Sequence, residues 1–444
     1  MLRGFTLIDG TGAPAVENAL IAIRDGRIFK AGLAGDFILS KEIDVIEMDG
    51  HWVLPGFVDM HVHMPEPPYE DADDGPEVLK TLLAFGVTAV RNVGASDTAG
   101  VELKQRINRG ELLGPLYYTS GPILLAEGGA WEGTEFGVVV RQEDDVRREI
   151  GRQAALGVDF IKVYQGLTPR LVSVAIEEAH ALGLKVVGHM GRANWVQAAE
   201  MGIDAVTHFN AGFMTSAVPK SERAEFEGLL NRRVSEAKRG ELYRNWLQVM
   251  ARSGPEVDKL SKLLVENGVE ANPTMAVFEA TTFGDDPTLL DHLEPKYALP
   301  SEQKAWIGRP NPYSADWSPA TFDAARRVFS IFQKLLKVMH DRGVLITAGT
   351  DIMNPWMTAG VSFHRELQLL SSADITPLEV ITIATRNGAQ ALGLLEDFGT
   401  VEEGKRANLV ILSADPTVNI ENTRTITDVY LNGEQYSPQI LLGR

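Results

Sequence analysis

The middle of this 444-residue chain alternates short apolar runs with amphipathic stretches, and its two ends do not. Between residues 56 and 351 the strand-like runs are "GFVDMHVH", "VTAVRNV", "LYYTSGPIL", "VDFIKVY", "LKVVGHM", "IDAVTHF", "VEANPTMAVF" and "VLITAGTD". Helical patterns lie between them. Two of these, "DDVRREIGRQAALG" and "PRLVSVAIEEAHALG", end at Gly, as helix C-termini often do. Eight strands with interleaved helices favour an α/β fold of the (β/α)8 TIM-barrel type, with a doubly wound open sheet as the alternative. The ends read as short strands with tight turns: "ALIAIRDGRIFKAG" near the start, "ANLVILSADP" and "ITDVYLNGEQY" near the finish. The expected organisation is a small β-sandwich-like domain from residues 1–55 and 396–444, and a barrel from 56–395. Two excursions, about 211–268 and 279–319, are longer than strand–helix connections need. The second carries Trp306, Tyr313 and Trp317. It is expected to cover the active face and offer aromatic groups to a substrate, or to meet a neighbouring subunit.

Polar residues recur at the ends of these apolar strands. Period-2 alternation puts Asp59, His61 and His63 on one face. "VVGHM" ends near His189, "DAVTHF" near His208 and "LITAGTD" at Asp351, and "VDFIKVY" holds Lys162. Each alone reads as a satisfied core residue or a cap. Together, on five strands, they point to one shared site. The other histidines do not follow this pattern. His180, His340 and His364 fall in helical stretches, His51 near a turn and His292 in the long loop, where structural or surface roles are expected.

Lys162 shares a face with Phe160 and Tyr164, and Ile161 and Val163 occupy the other. Its ammonium is therefore expected to be buried, which lowers a lysine pKa and favours the neutral amine. Such an amine can add carbon dioxide to give a carbamate, an anion able to bridge two metal ions. The alternative is a lysine paired with a buried carboxylate. The chain has no cysteine, so disulfides and thiolate metal sites are excluded. Metal ligands must be His, carboxylate or modified Lys. A net charge of −18 argues against a nucleic-acid partner. No apolar run is long enough to span a bilayer, and "MLRGFTLIDGTG" lacks a signal-peptide core, so no membrane partner and a cytoplasmic location are expected.

This set of residues resembles the amidohydrolase superfamily in its binuclear-metal branch, with its prolidase-like and imidazolonepropionase-like members. "VLPGFVDMHVH" looks like the family's entry into the barrel, and "GTVEEGKRANLVILSADP" like its exit. "SFHREL" and "ITPLEVITIATRNGAQALGL" look like the helices that follow its eighth strand. The resemblance implies that His61, His63 and Asp351 hold one divalent ion and that His189 and His208 hold a second. Lys162, carboxylated by carbon dioxide, would bridge them together with a hydroxide. Asp351 would move the proton to the leaving nitrogen. Zinc is the first expectation; manganese, iron and cobalt also suit such ligands.

The implied activity is hydrolysis of an amide-type C–N bond (amide, peptide-like, carbamate or lactam) in a small-molecule substrate, by a homo-oligomer. Two departures bear on the substrate. Ala130 in "GGAWEG" stands where prolidase-like members carry a "GGH" histidine, and Ala211 in "HFNAG" where they carry an "HGTY" tyrosine. Trp131, Tyr164, Asn210, Asn354 and Trp356 are the candidates to line the pocket instead. The alternatives are a mononuclear deaminase of the same superfamily, which needs a Glu where Arg192 stands, and a non-catalytic scaffold relative that has lost ligands.

Overall fold

The computed structural model describes residues 1–36, 44–65, 74–209, 211–223 and 236–443. Parallel strands run through its centre. Phe57–Val62, Val87–Asn92 and Leu116–Thr119 form one sheet. Ile123–Leu125, Phe160–Val163, Lys185–Gly188, Ala205–Thr207, Glu270–Asn272 and Leu345–Ile346 follow in spatial order in a second, with Gly137–Val139 beside Ile123–Leu125.

The third strand is shared between the two sheets. Its first half pairs with Val87–Asn92, and its second half with Phe160–Val163 through Val163 and Leu124. Ser120, Gly121 and Pro122 separate the halves; a proline has no N–H for the ladder. At the other side, Met60 N–H donates to Ala348 O at 2.9 Å and Asp351 N–H to His61 O at 2.7 Å. A parallel bridge joins Val62 to Ile352. Backbone hydrogen bonds therefore link the eighth strand to the first.

Alternation along these strands sorts side chains into two layers. Ile161, Val163, Val186 and Val206 join the main core under the helices. Phe160, Val187 and Ala205 form a separate small cluster with Val93. A buried ion pair crosses this inner layer. Arg91 donates to both Glu270 oxygens at 2.6 and 2.8 Å and, through Nε, to Met60 O at 2.8 Å.

The chain ends meet in one sheet. Leu2–Leu7 pairs antiparallel with Val16–Arg24 and parallel with Trp52–Pro55, which pairs antiparallel with Leu409–Leu412. Leu2, Phe5, Ile21, Val53, Leu409 and Ile411 share a separate core beneath it. The expected tight turns are present. Asp25 and Gly26, and Asn432 and Gly433, all have positive φ, as type I′ turns require.

Helices Glu143–Leu156 and Pro169–Ala181 occur where the pattern predicts, the first ending at left-handed Gly157. One strand is shorter than its apolar run. "VEANPTMAVF" is strand only over Glu270–Asn272; Pro273 and left-handed Thr274 turn the chain into helix Met275–Thr282. Proline removes a ladder donor, and an apolar run alone does not distinguish strand from buried helix. The first excursion contains helices Glu236–Ser253 and Val257–Glu266, the second helices Pro287–His292 and Pro300–Trp306. Among the described residues no helix is long and apolar enough to cross a membrane.

Candidate metal centre

The first strand delivers His61 and His63, the fourth Lys162, the fifth His189, the sixth His208 and the eighth Asp351. All six converge. Asp351 Oδ1 lies 3.2 Å from His63 Nε2 and 3.4 Å from His61 Nε2, and its Oδ2 lies 3.9 Å from His208 Nδ1. The imidazoles follow one another: His61 to His208 and His208 to His189 are both 4.5 Å between ring centres. One ligand atom each from His61, His208 and Asp351 falls within 4.8 Å of the others. Asp351 thus touches both of the ligand sets drawn from sequence.

Burial sets the charge state of the site. It pushes His189 down to about 3 and holds His61 and His208 well below the usual imidazole range. The same cause brings the Lys162 ammonium down to about 7, against the opposing pull of Asp351. Lys162 Nζ lies 3.4 Å from Thr207 Oγ1, at hydrogen-bond range, and is 2 % exposed. Neutral imidazoles and carboxylates are the forms that bind metal ions, and a readily deprotonated amine is the form that adds carbon dioxide. His61 Nδ1 is buried without a hydrogen-bond partner among the described residues. The donor set fits divalent ions.

Several supports were not singled out from sequence. His208 Nδ1 pairs with Thr274 Oγ1 at 2.7 Å. Asp59, fully buried and pushed up to about 7 by that burial, accepts from His61 N–H and from Thr350. His208, Thr274 and Asp351 all adopt left-handed φ, of 68°, 50° and 66°. Such strain in non-glycine residues gathers at functional sites. The available signals were Asp59, on the His61 face, and the "NPT" that ends the seventh strand.

The pocket candidates divide. The Tyr164 ring packs against His189, tilted by 44° with 4.5 Å between ring centres. Asn354 Nδ2 donates to Asp351 O at 2.8 Å. Trp356 is withdrawn into the main core, and Asn210 lies outside the described residues. From the second excursion Tyr313 reaches Asn354, whereas Trp306 joins the main core and Trp317 packs on Phe322 at 5.2 Å. The two indoles of this segment are thus taken up by packing, while the Tyr313 hydroxyl bonds to Asn354. The remaining histidines are structural or peripheral. His364, for example, is buried between Thr423 Oγ1 and Phe85 O at 2.9 and 3.0 Å.

Residues 52–221 and 324–436 match the model of the amidohydrolase family. The chain belongs to the amidohydrolase family. An imidazolonepropionase from Agrobacterium fabrum is 25% identical over 427 residues, covering 91% of this chain and 86% of that one. A dihydroorotase from Leifsonia xyli is 28% identical over 225 residues, about half of each chain. Among solved structures, a putative prolidase from Bifidobacterium longum superposes with a TM-score of 0.70 at 20% identity, over 98% of this amidohydrolase and 93% of that chain. Bottromycin amidohydrolase gives 0.75 at 20% identity, over 99% and 87%. At these identities the structural likenesses speak for the fold.

Proposed function

We propose that this amidohydrolase is a binuclear metal-dependent hydrolase of an amide-type C–N bond in a small molecule. The reading takes the parallel strands as a closed (β/α)8 barrel spanning residues 56–395, with residues 1–55 and 396–444 as a separate β-domain. The hydrogen bonds between the eighth and first strands support the first part. The shared sheet of the two chain ends supports the second.

The observation that carries the function is Lys162. It is a buried amine, drawn to about 7, on a strand whose end meets four imidazoles and one carboxylate. His61, His63 and Asp351 would hold one ion, His189 and His208 a second, with Lys162 as a carbamate between them. When bound, such ions polarise a carbonyl and turn water into a strong nucleophile near neutral pH. The chain's own part is to fix these ligands and to move one proton. Asp351 accepts it at a carboxylate oxygen as water adds to the carbonyl carbon, and gives it to the nitrogen as the C–N bond breaks. The products are a carboxylic acid and an amine. The neutral imidazoles suit ligation rather than proton transfer.

The test is metal analysis joined to a substrate screen. Protein purified with zinc should carry about two ions per chain and cleave members of a panel of N-acyl amino acids, aryl amides, carbamates and lactams. Removal of the ions by chelation should abolish turnover, and zinc with bicarbonate should restore it. One ion per chain with release of ammonia from a ring substrate would instead establish a deaminase.

A further inference from the structure

The motif "SFHREL" lies in helix Val361–Ser372, outside the set of metal ligands. Two of its side chains reach the short helix Met275–Thr282, which follows the seventh strand. Arg365 donates to both Glu279 oxygens at 2.6 Å, in the second turn of that helix. Glu366 is fully buried, and its Oε2 accepts from Ala276 N–H at 2.7 Å, in the first turn. Burial pushes the Glu366 carboxyl up to about 8, so it is neutral at pH 7, and a neutral carboxyl still offers an accepting oxygen.

Helix Met275–Thr282 begins after Thr274, and a threonine in that place ordinarily caps the helix by accepting from its first N–H groups. Here it makes no such bond. The Thr274 hydroxyl donates instead to Pro273 O at 2.8 Å, and its oxygen lies 2.7 Å from His208 Nδ1. A hydroxyl has one hydrogen, and a carbonyl only accepts. With that hydrogen on Pro273 O, His208 Nδ1 is the donor of the second bond, and the Nε2 lone pair is left for an ion. The His208 backbone is set separately, by its N–H on Asn272 O at 2.9 Å. The ring therefore depends on where Thr274 points. Thr274 holds a left-handed φ of 50°, a conformation that a β-branched residue keeps only when its surroundings impose it.

We infer that Glu366 is a positioning residue for the metal centre: it caps helix Met275–Thr282 in place of Thr274, and so leaves the Thr274 hydroxyl to hold His208. The inference rests on the metal-dependent reading above and adds to it a residue that stands behind the ligands. Without Glu366 the Ala276 N–H loses its buried acceptor. Thr274, at the capping position, can supply one. A turn of its hydroxyl toward that N–H takes the acceptor away from His208 Nδ1. The ring is then free to rotate or to exchange its two tautomers, and the ligand loses its preset aim. The Arg365–Glu279 pair joins the same two helices one turn farther from Thr274, so it supports their packing without bearing on His208.

The experiment uses the full chain, stripped of metal and titrated with zinc against a chromogenic chelator. Glu366→Met keeps an unbranched side chain of similar length and removes the acceptor, whereas Glu366→Gln keeps one. Zinc affinity should fall by about 10-fold or more in Glu366→Met and stay within about 2-fold of wild type in Glu366→Gln. Metal-free protein with nitrogen-labelled histidine gives a reading without zinc, from the ring nitrogen chemical shifts, with His208→Asn locating the signal. His208 should be a single Nδ1–H tautomer in wild type and Glu366→Gln, and a mixture in Glu366→Met. Thr274→Ala leaves Glu366 in place and suits a left-handed backbone at least as well as threonine. It should reproduce both losses, and it serves if Glu366→Met does not fold. Arg365→Met is the control: it should lower the unfolding midpoint and leave zinc affinity and the His208 tautomer unchanged. Wild-type affinity and tautomer in Glu366→Met or Thr274→Ala, or an equal loss of affinity in Arg365→Met, overturns the inference while the metal-dependent reading stands. A wild type that binds no zinc overturns that reading, and the tautomer comparison then still decides the role of Glu366.

Discussion

The Asp59 carboxylate joins the first strand to the turn after the eighth by accepting from Thr350, at 2.7 Å from its hydroxyl and 3.1 Å from its N–H. The same carboxylate accepts from His61 N–H at 3.1 Å. One buried group therefore ties His61, two residues on in the first strand, to Thr350, the neighbour of Asp351. Asp59→Ala leaves those donors unpaired and lets the two ligands drift. We expect zinc affinity to fall by about 10–100-fold, as for loss of a support behind metal ligands. Competition with a chromogenic chelator measures it; unchanged affinity would confine Asp59 to a packing role.

Lys162→Ala should lose bound metal and turnover together. Short carboxylic acids, which can occupy the space of a carbamate, should restore part of both. Full metal content with wild-type turnover in this variant would remove Lys162 from the site.

Asp351→Asn keeps the size of the side chain and removes its base. Turnover should fall by about 10²-fold or more, the usual loss for a general base, with metal still bound by His189 and His208. Steady-state kinetics with parallel metal analysis separate the two effects. Near-normal turnover would exclude Asp351 as the proton carrier.

Arg91 and Glu270 are both buried and bonded to each other at two points. Arg91→Met leaves the Glu270 charge without its partner, and the expected cost is about 3–5 kcal/mol of stability. The double variant with Glu270→Leu should recover most of that loss. Denaturant unfolding of the three proteins decides the matter, and equal loss in single and double variants would count against a charge effect.

His364 gives a pH dependence. Burial pushes it down to about 3 from an ordinary 6.5, the bond to Phe85 O opposing. Its folded pKa lies below its unfolded one, so between those values the unfolded chain binds more protons. Its contribution is present above 6.5 and is lost as pH falls toward 3, at up to about 1.4 kcal/mol per pH unit. Replacement by Gln should flatten the acid limb of a stability–pH curve measured on metal-free protein. A curve with the same acid slope would show that His364 does not titrate on unfolding.

The sequence by itself determined which side chains could share a site. Alternation with period 2 puts Asp59, His61 and His63 on one face and Lys162 opposite Ile161 and Val163, because a strand's geometry is local and repeats. Helix ends at Gly157 and turns at Asp25–Gly26 and Asn432–Gly433 were legible for the same reason: each needs only its own backbone conformation. The tertiary structure decided what surrounds those side chains. Tyr313 reaches Asn354 across 41 positions of chain, and Arg91 meets Glu270 across 179. Neither pairing leaves a periodic trace. Trp306 and Trp317 looked as suited to the site as Tyr313, and packing with their neighbours took them elsewhere. Thr274 lay in an apolar run that read as strand until Pro273 ended the ladder. Local rules fix the face a residue occupies; only closure of the chain on itself brings distant faces together and chooses which loop side chain stands beside Asn354.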